Sequence, residues 1–115
     1  MGSNAEMVER LEERGYVETE RVRDAFLAVD RKDFVPRKVR EKAYHDRPLS
    51  IGEDATISAP HMVAINTELL EVEPGNRVVE VGSGSGYQLA VLSELAKEVH
   101  GVEILEELVE KSRER

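Results

Sequence analysis

The 115-residue sequence contains no cysteine, so no disulfide framework holds it and its stability must come from a packed core. It also lacks an apolar run of membrane length and a signal-peptide pattern, which together lead to the expectation of a soluble, cytoplasmic protein. Positive charge is short as well. The formal net charge is −8 with 35% charged residues, and the basic residues read as dispersed, so neither a nucleic-acid-binding nor a membrane-binding surface is expected. No repeat, low-complexity segment or interdomain linker is visible, and the length allows one domain at most. The bias to Glu and Arg over Asn, Gln and Cys runs in the direction of the proteome trend of heat-adapted organisms, a trend that does not assign the source of one chain.

What is present is organised around residues 77–88. Arg77, Val78, Val79, Glu80 and Val81 form a short apolar run that passes into Gly82, Ser83, Gly84, Ser85 and Gly86, and a helix-periodic segment follows from Tyr87. A strand that feeds a helix through a glycine-rich loop is a ligand-holding arrangement. Glycines let backbone approach the ligand, and the N–H groups of the first helical turn are donors.

Upstream, Met1, Gly2 and Ser3 read as an added leader, and residues 1–5 as leader and disordered start. Met7, Val8 and Leu11 have helical spacing, with Gly15 just past the end. Thr19 can cap a second helix with the stripe Val22, Ala25, Phe26 and Val29, while Arg21, Arg23 and Asp24 fall outside it as solvated charges. Pro36 ends the helical pattern, with room for one or two further turns over residues 37–43. Residues 49–55 show little regular period and hold a turn at Gly52, Glu53 and Asp54. Ser58 is spaced as the N-cap of a helix that begins at Pro60 and carries the stripe Met62, Ile65 and Leu69 with Val63 and Leu70. Pro74 and Gly75 turn the chain into a strand over residues 78–81. A helix of about three turns carries Leu89, Leu92, Leu95 and Ala96, a second strand covers residues 99–104, and a last helix uses Leu108 and Val109. The expected division is a helical N-terminal region over residues 6–76, on the substrate side, and a partial Rossmann-like segment (β-α-β-α) over residues 77–115.

Glu103 stands 21 residues after Gly82, at the end of the second strand. A carboxylate there can accept hydrogen bonds from both hydroxyls of a ribose lying across the first strand's end. Glycines at 82, 84 and 86 depart from the dinucleotide spacing. Glu80 would repel a pyrophosphate but favours an ammonium or a sulfonium. S-adenosylmethionine satisfies all three features, and no metal is called for. The alternative is that Glu80 and Glu103 are ordinary polar strand ends.

The chain resembles the protein-L-isoaspartate (D-aspartate) O-methyltransferase family. The resemblance is carried by Phe34, Val35 and Pro36; Ala43, Tyr44, Asp46, Pro48, Leu49, Ile51 and Gly52; Thr56, Ile57, Ser58, Ala59, Pro60, His61, Met62, Val63 and Ala64; and residues 79–88. It implies that Ser58 lies at the methyl-transfer site and that Thr56, Ile57, Ser58, Ser83 and Glu103 contact the cofactor. On the charge of the one and the loop position of the others, Glu80, Gly82, Gly84, Ser85 and Gly86 are added to the expected cofactor site. The implied substrates are isoaspartyl or D-aspartyl carboxyl groups of damaged proteins and peptides. A carboxylate is already ionised at neutral pH, so Ser58 would orient rather than attack. His61 is read as structural or cofactor-proximal, with no partner evident, and His45 and Asp46 as loop packing.

Set against the family, the sheet is expected to be incomplete, with its first strand central and open to water. Self-association into a homo-oligomer and weak binding of S-adenosylmethionine are expected from that. Three readings stay open: a truncated isoaspartyl methyltransferase, a non-catalytic unit that completes its sheet with another copy, and a minimal cofactor-binding module.

Overall fold

The computed structural model describes residues 2–52 and 55–102. Glu53, Asp54, Glu103 and the expected last helix lie outside the described residues.

Two helices open the chain, α1 (Asn4–Glu13) and α2 (Glu20–Ala28), and they bury the apolar positions that the helical spacing singles out. Gly15, at φ +82°, follows α1 in the left-handed conformation that glycine adopts freely. Ser3 and Asn4 make contacts at the start of α1. Ser3 Oγ accepts the Glu6 N–H at 3.2 Å, and the Asn4 side-chain amide donates to Phe26 O at 2.9 Å and Val29 O at 3.1 Å. Those carbonyls lie at the end of α2, where the helix leaves acceptors unpaired.

Thr19 caps α2 as its type predicts, with Oγ1 accepting from Val22 N at 3.3 Å. Glu68, 49 residues away, accepts Thr19 N–H at 2.8 Å and Glu18 N–H at 2.6 Å, so the cap is partly tertiary. Arg21 is also more than a solvated charge, since it donates to Val72 O at 2.9 Å and to Leu95 O at 3.4 Å. Two 3-10 turns follow, Arg31–Phe34 and Arg37–Lys42.

The N-terminal region is not wholly helical. Strand β1 (Leu49–Gly52) pairs antiparallel with β2 (Ala55–Ile57), in register Leu49↔Ile57 and Ser50↔Thr56. Strands of four and three residues are too short for alternation to stand out in a sequence. Leu49, Ile51 and Ile57 nevertheless point inward while Ser50 and Thr56 face solvent.

Helix α3 (Pro60–Leu70) differs from expectation twice. Its N-cap is Ala59, with Pro60 in the first turn and no side-chain cap of its own, so Ser58 stands one residue too far out to cap it. The buried face is Pro60, Val63, Ala64 and Thr67. Met62, Leu69 and Leu70, assigned to the core stripe, are 43%, 76% and 54% exposed. The helix is apolar on both sides, so periodicity alone could not choose between them.

Strand β3 (Arg77–Val81), helix α4 (Tyr87–Ser93) and strand β4 (Glu98–Val102) form a parallel β-α-β unit with Val78↔Val99 and Val81↔Val102 in register. This is the expected α/β architecture. Helix α4 is shorter than three turns, because the chain tightens at Leu95 and Ala96, whose N–H groups both bond Leu92 O. Val78 and Val99 pack against the core. The opposite sheet face carries Val79, Val81 and Val102 at 64%, 81% and 50% exposure, although parallel strands normally have both faces covered.

One core spans both regions. Tyr87, the first residue of α4, is enclosed by Phe26 in edge contact (ring centroids 6.3 Å), Phe34 at 5.6 Å and the Arg31 guanidinium at 5.1 Å. Burial pushes the Tyr87 phenol up and the Arg31 guanidinium down from their ordinary values. The glycine loop is therefore anchored, through Tyr87, in the packing of the N-terminal helices. Among the described residues no helix is long and apolar enough to cross a membrane.

Candidate functional site

A cleft of about 100 Å³ opens where β2 and α3 face the glycine loop. Thr56, Ile57 and Ser58 line one wall; Glu80, Gly82, Ser83, Gly84 and Ser85 line the other. These are segments some 25 residues apart in sequence, brought together because β2 runs directly into α3 and α3 packs on α4. Of the residues singled out for the site, Gly86 does not line the cleft, and Glu103 lies outside the described residues. Val63, Asn66 and Gln88 do line it and had not been singled out. Val63 and Asn66 are one helical turn apart on α3, a spacing that could have flagged them once the strand–helix junction was known.

The loop's shape comes from three left-handed glycines, Gly82 (φ +72°), Gly84 (φ +54°) and Gly86 (φ +87°). Its N–H groups are largely used within the fold. Gly82 and Ser83 donate to Val102 O at 2.6 and 3.3 Å, Gly86 donates to Ser83 O at 2.9 Å, and Tyr87 donates to Ser85 Oγ at 3.2 Å. At these positions the glycines supply a tight path and room beside it rather than donors, which corrects the donor-cradle expectation for them. Gly101 makes the same kind of room from β4. A Cβ there would stand 2.9 Å from Ser83 Cβ and 2.8 Å from Leu89 Cδ2.

Glu80 is the polar centre of the cleft. Its Oε1 is buried with no hydrogen-bond partner among the described residues, and burial raises its carboxyl to about 7. An orphaned carboxylate oxygen facing a cleft suits a cationic group, so the residues present fit an ammonium-bearing cofactor. Ser58 is exposed at the mouth. Behind it, His61 has the partner that its sequence neighbourhood did not reveal. Asp46 Oδ1 accepts the His61 backbone N–H at 2.8 Å and lies 2.9 Å from ring Nδ1. A carboxylate only accepts, so Nδ1 carries the hydrogen. The Tyr16 ring packs on the imidazole with centroids 5.3 Å apart. Asp46 is thus the missing cap of α3, supplied from the turn before β1. Among the described residues no group of three or more metal-binding side chains occurs.

The chain is similar to known proteins over most of its length. A family profile described as protein-L-isoaspartate(D-aspartate) O-methyltransferase matches residues 2–115. A protein-L-isoaspartate O-methyltransferase of Methanopyrus kandleri is 57% identical over 91 residues, which are 79% of this chain and 40% of the relative. One of Pyrobaculum islandicum is 51% identical over 105 residues, 89% of this chain and 51% of the relative. The chain thus spans about half the length of the curated relatives it matches. A structure described as a protein-L-isoaspartate O-methyltransferase of Plasmodium falciparum, in complex with S-adenosyl-L-homocysteine, superposes with a TM-score of 0.87 at 31% identity, over 99% of this chain and 55% of that one. A second protein-L-isoaspartate O-methyltransferase structure gives a TM-score of 0.85 at 27% identity, over 96% and 37%.

Proposed function

The chain belongs to the protein-L-isoaspartate(D-aspartate) O-methyltransferase family, and on that premise we propose that its cleft is the amino-acid end of an S-adenosylmethionine site at which isoaspartyl or D-aspartyl carboxyl groups are methylated. The observation that carries this reading is the convergence of residues 56–58 and the glycine loop around the unpartnered Glu80 oxygen. S-adenosylmethionine supplies a methyl group on a sulfonium, an electrophile that a carboxylate can meet directly. Glu80 holds the cofactor's ammonium, and Thr56, Ile57, Ser83, Gly84 and Ser85 shape the walls around it. Glu103 takes the ribose hydroxyls.

The acceptor carboxylate is ionised at neutral pH and needs no general base, so positioning supplies most of the barrier reduction. Ser58 donates its hydroxyl hydrogen to that carboxylate and aims it. Residues 6–76 form the substrate side and residues 77–115 the cofactor side. The test is transfer of a labelled methyl group to an isoaspartyl peptide against its normal aspartyl twin, with calorimetric titration of S-adenosyl-L-homocysteine on the same sample. Transfer to the isoaspartyl peptide alone is the expected result. Binding without transfer would assign a cofactor-binding module, and neither would overturn the reading.

A second reading concerns assembly. The open face of Val79, Val81 and Val102, continued by Leu69 and Leu70 on α3, favours self-association of this 115-residue chain.

A further inference from the structure

The cleft of the proposed site adjoins a second cavity of about 420 Å³ along β3. Asn66, Glu80 and Gln88 line both, so these three side chains stand where the two meet. Glu80 shares a sheet face with Val78, two residues back, and Val78 packs against the core, so the Glu80 carboxylate lies on the side of α3 and α4. Gln88, in the first turn of α4, has its side-chain amide pinned. Its Nε2 donates to Thr67 Oγ1 at 2.7 Å. Thr67, only 1% exposed, donates in turn to Val63 O at 2.7 Å, one turn back on α3.

That relay fixes which way the amide faces. A carbonyl oxygen only accepts, so the Thr67 hydroxyl hydrogen is committed to Val63 O and Oγ1 has only lone pairs left to offer. Such a partner takes the NH2 end of Gln88 and refuses the oxygen end, and the two ends of an amide point apart. The Gln88 carbonyl oxygen is therefore turned away from Thr67. Among the described residues it is neither hydrogen-bonded nor buried, so it opens on the cavities that Gln88 lines. Glu80 Oε1, on the same walls, has no partner among the described residues either. Two acceptors left open together suit a cation that carries several N–H donors, whereas an amide turned the other way would oppose it with donors of its own.

We propose that Thr67 is a positioning residue: by holding the Gln88 nitrogen it presents the Gln88 carbonyl oxygen as a second acceptor, beside Glu80, for the ammonium of the ligand's amino-acid end. The proposal rests on the methyltransferase reading and names what distinguishes, at that site, a ligand that carries the ammonium from one that lacks it.

The test is calorimetric titration of the whole chain with S-adenosyl-L-homocysteine and with 5′-methylthioadenosine, which has the adenosine and the thioether but no amino-acid end. Loss of one hydrogen bond to a charged group predicts that Thr67→Val and Gln88→Leu each bind S-adenosyl-L-homocysteine roughly tenfold more weakly than the parent, with affinity for 5′-methylthioadenosine unchanged. Thr67→Ser keeps the hydroxyl and is expected to bind as the parent does. The double variant Thr67→Val, Gln88→Leu is expected to be no weaker than Gln88→Leu alone, because the threonine acts through the glutamine. Losses that add in the double variant would overturn the proposal, as would an equal fall for both ligands, which is the mark of a merely structural role. Thr67→Val with the parent's preference for S-adenosyl-L-homocysteine intact would overturn it alone and leave the methyltransferase reading standing. A parent chain that prefers neither ligand would overturn that reading and the proposal with it.

Discussion

One oxygen of Asp46 holds both the backbone N–H and the ring Nδ1 of His61, at 2.8 and 2.9 Å. The pair closes a helix start that has no side-chain cap of its own, and it does so two residues past Ser58. Asp46→Ala is expected to cost about 1 kcal/mol, the usual worth of an N-cap, and to lower Tm by several degrees. Asp46→Asn keeps an acceptor for the N–H and is expected to lose about half as much. Thermal melts followed by circular dichroism decide the matter. Equal melting of all three proteins would show that the contact stabilises nothing.

Glu80 predicts a pH dependence of definite sign. Burial raises its carboxyl from 4.5 to about 7, so the folded chain holds the proton more tightly than the unfolded one. Stability from this group is therefore greatest at low pH and falls as pH rises from about 4.5 to about 7. A cationic ligand favours the ionised form, so affinity for S-adenosyl-L-homocysteine is expected to rise between pH 6 and 8, with release of a proton. Calorimetry in two buffers of different ionisation enthalpy measures that release. Glu80→Gln is expected to remove both trends, and unchanged proton release in the variant would assign the proton elsewhere.

Gly101 predicts a steric effect on the loop. A Cβ there would overlap Ser83 Cβ and Leu89 Cδ2. The leucine end can swing aside, whereas Ser83 moves only with the loop. Gly101→Ala is expected to cost about 1–3 kcal/mol in urea unfolding and to weaken S-adenosyl-L-homocysteine binding. Gly75→Ala, which meets nothing within 4 Å, is the control and is expected to stay within about 0.5 kcal/mol of the parent.

Self-association is tested by light scattering over rising concentration. The open sheet face predicts a mass that grows beyond one chain, and Val81→Lys, at a position 81% exposed, is expected to restore the monomer. A constant monomer mass for the parent would refute it.

Local chemistry was legible in the sequence wherever one short stretch decides the outcome. The faces of α1 and α2, the Thr19 cap, the turn at Pro74 and the strand–glycine loop–helix unit all follow from side-chain type and spacing over a few residues. So does the family, because the motif from Thr56 to Ala64 and the glycine loop is a local string. Tertiary structure alone decided the rest. The core face of α3 depends on what packs against a helix that carries apolar residues on both sides. The hairpin of β1 and β2 is too short to show a period. The partners of His61, Arg21 and Thr19 come from 15, 51 and 49 residues away. The N–H groups of Gly82, Ser83 and Gly86 turned out to be spent on Val102 and Ser83, a matter of where β4 lies. Periodicity reports which residues share a face, and only packing settles which face is buried and which polar groups meet across it.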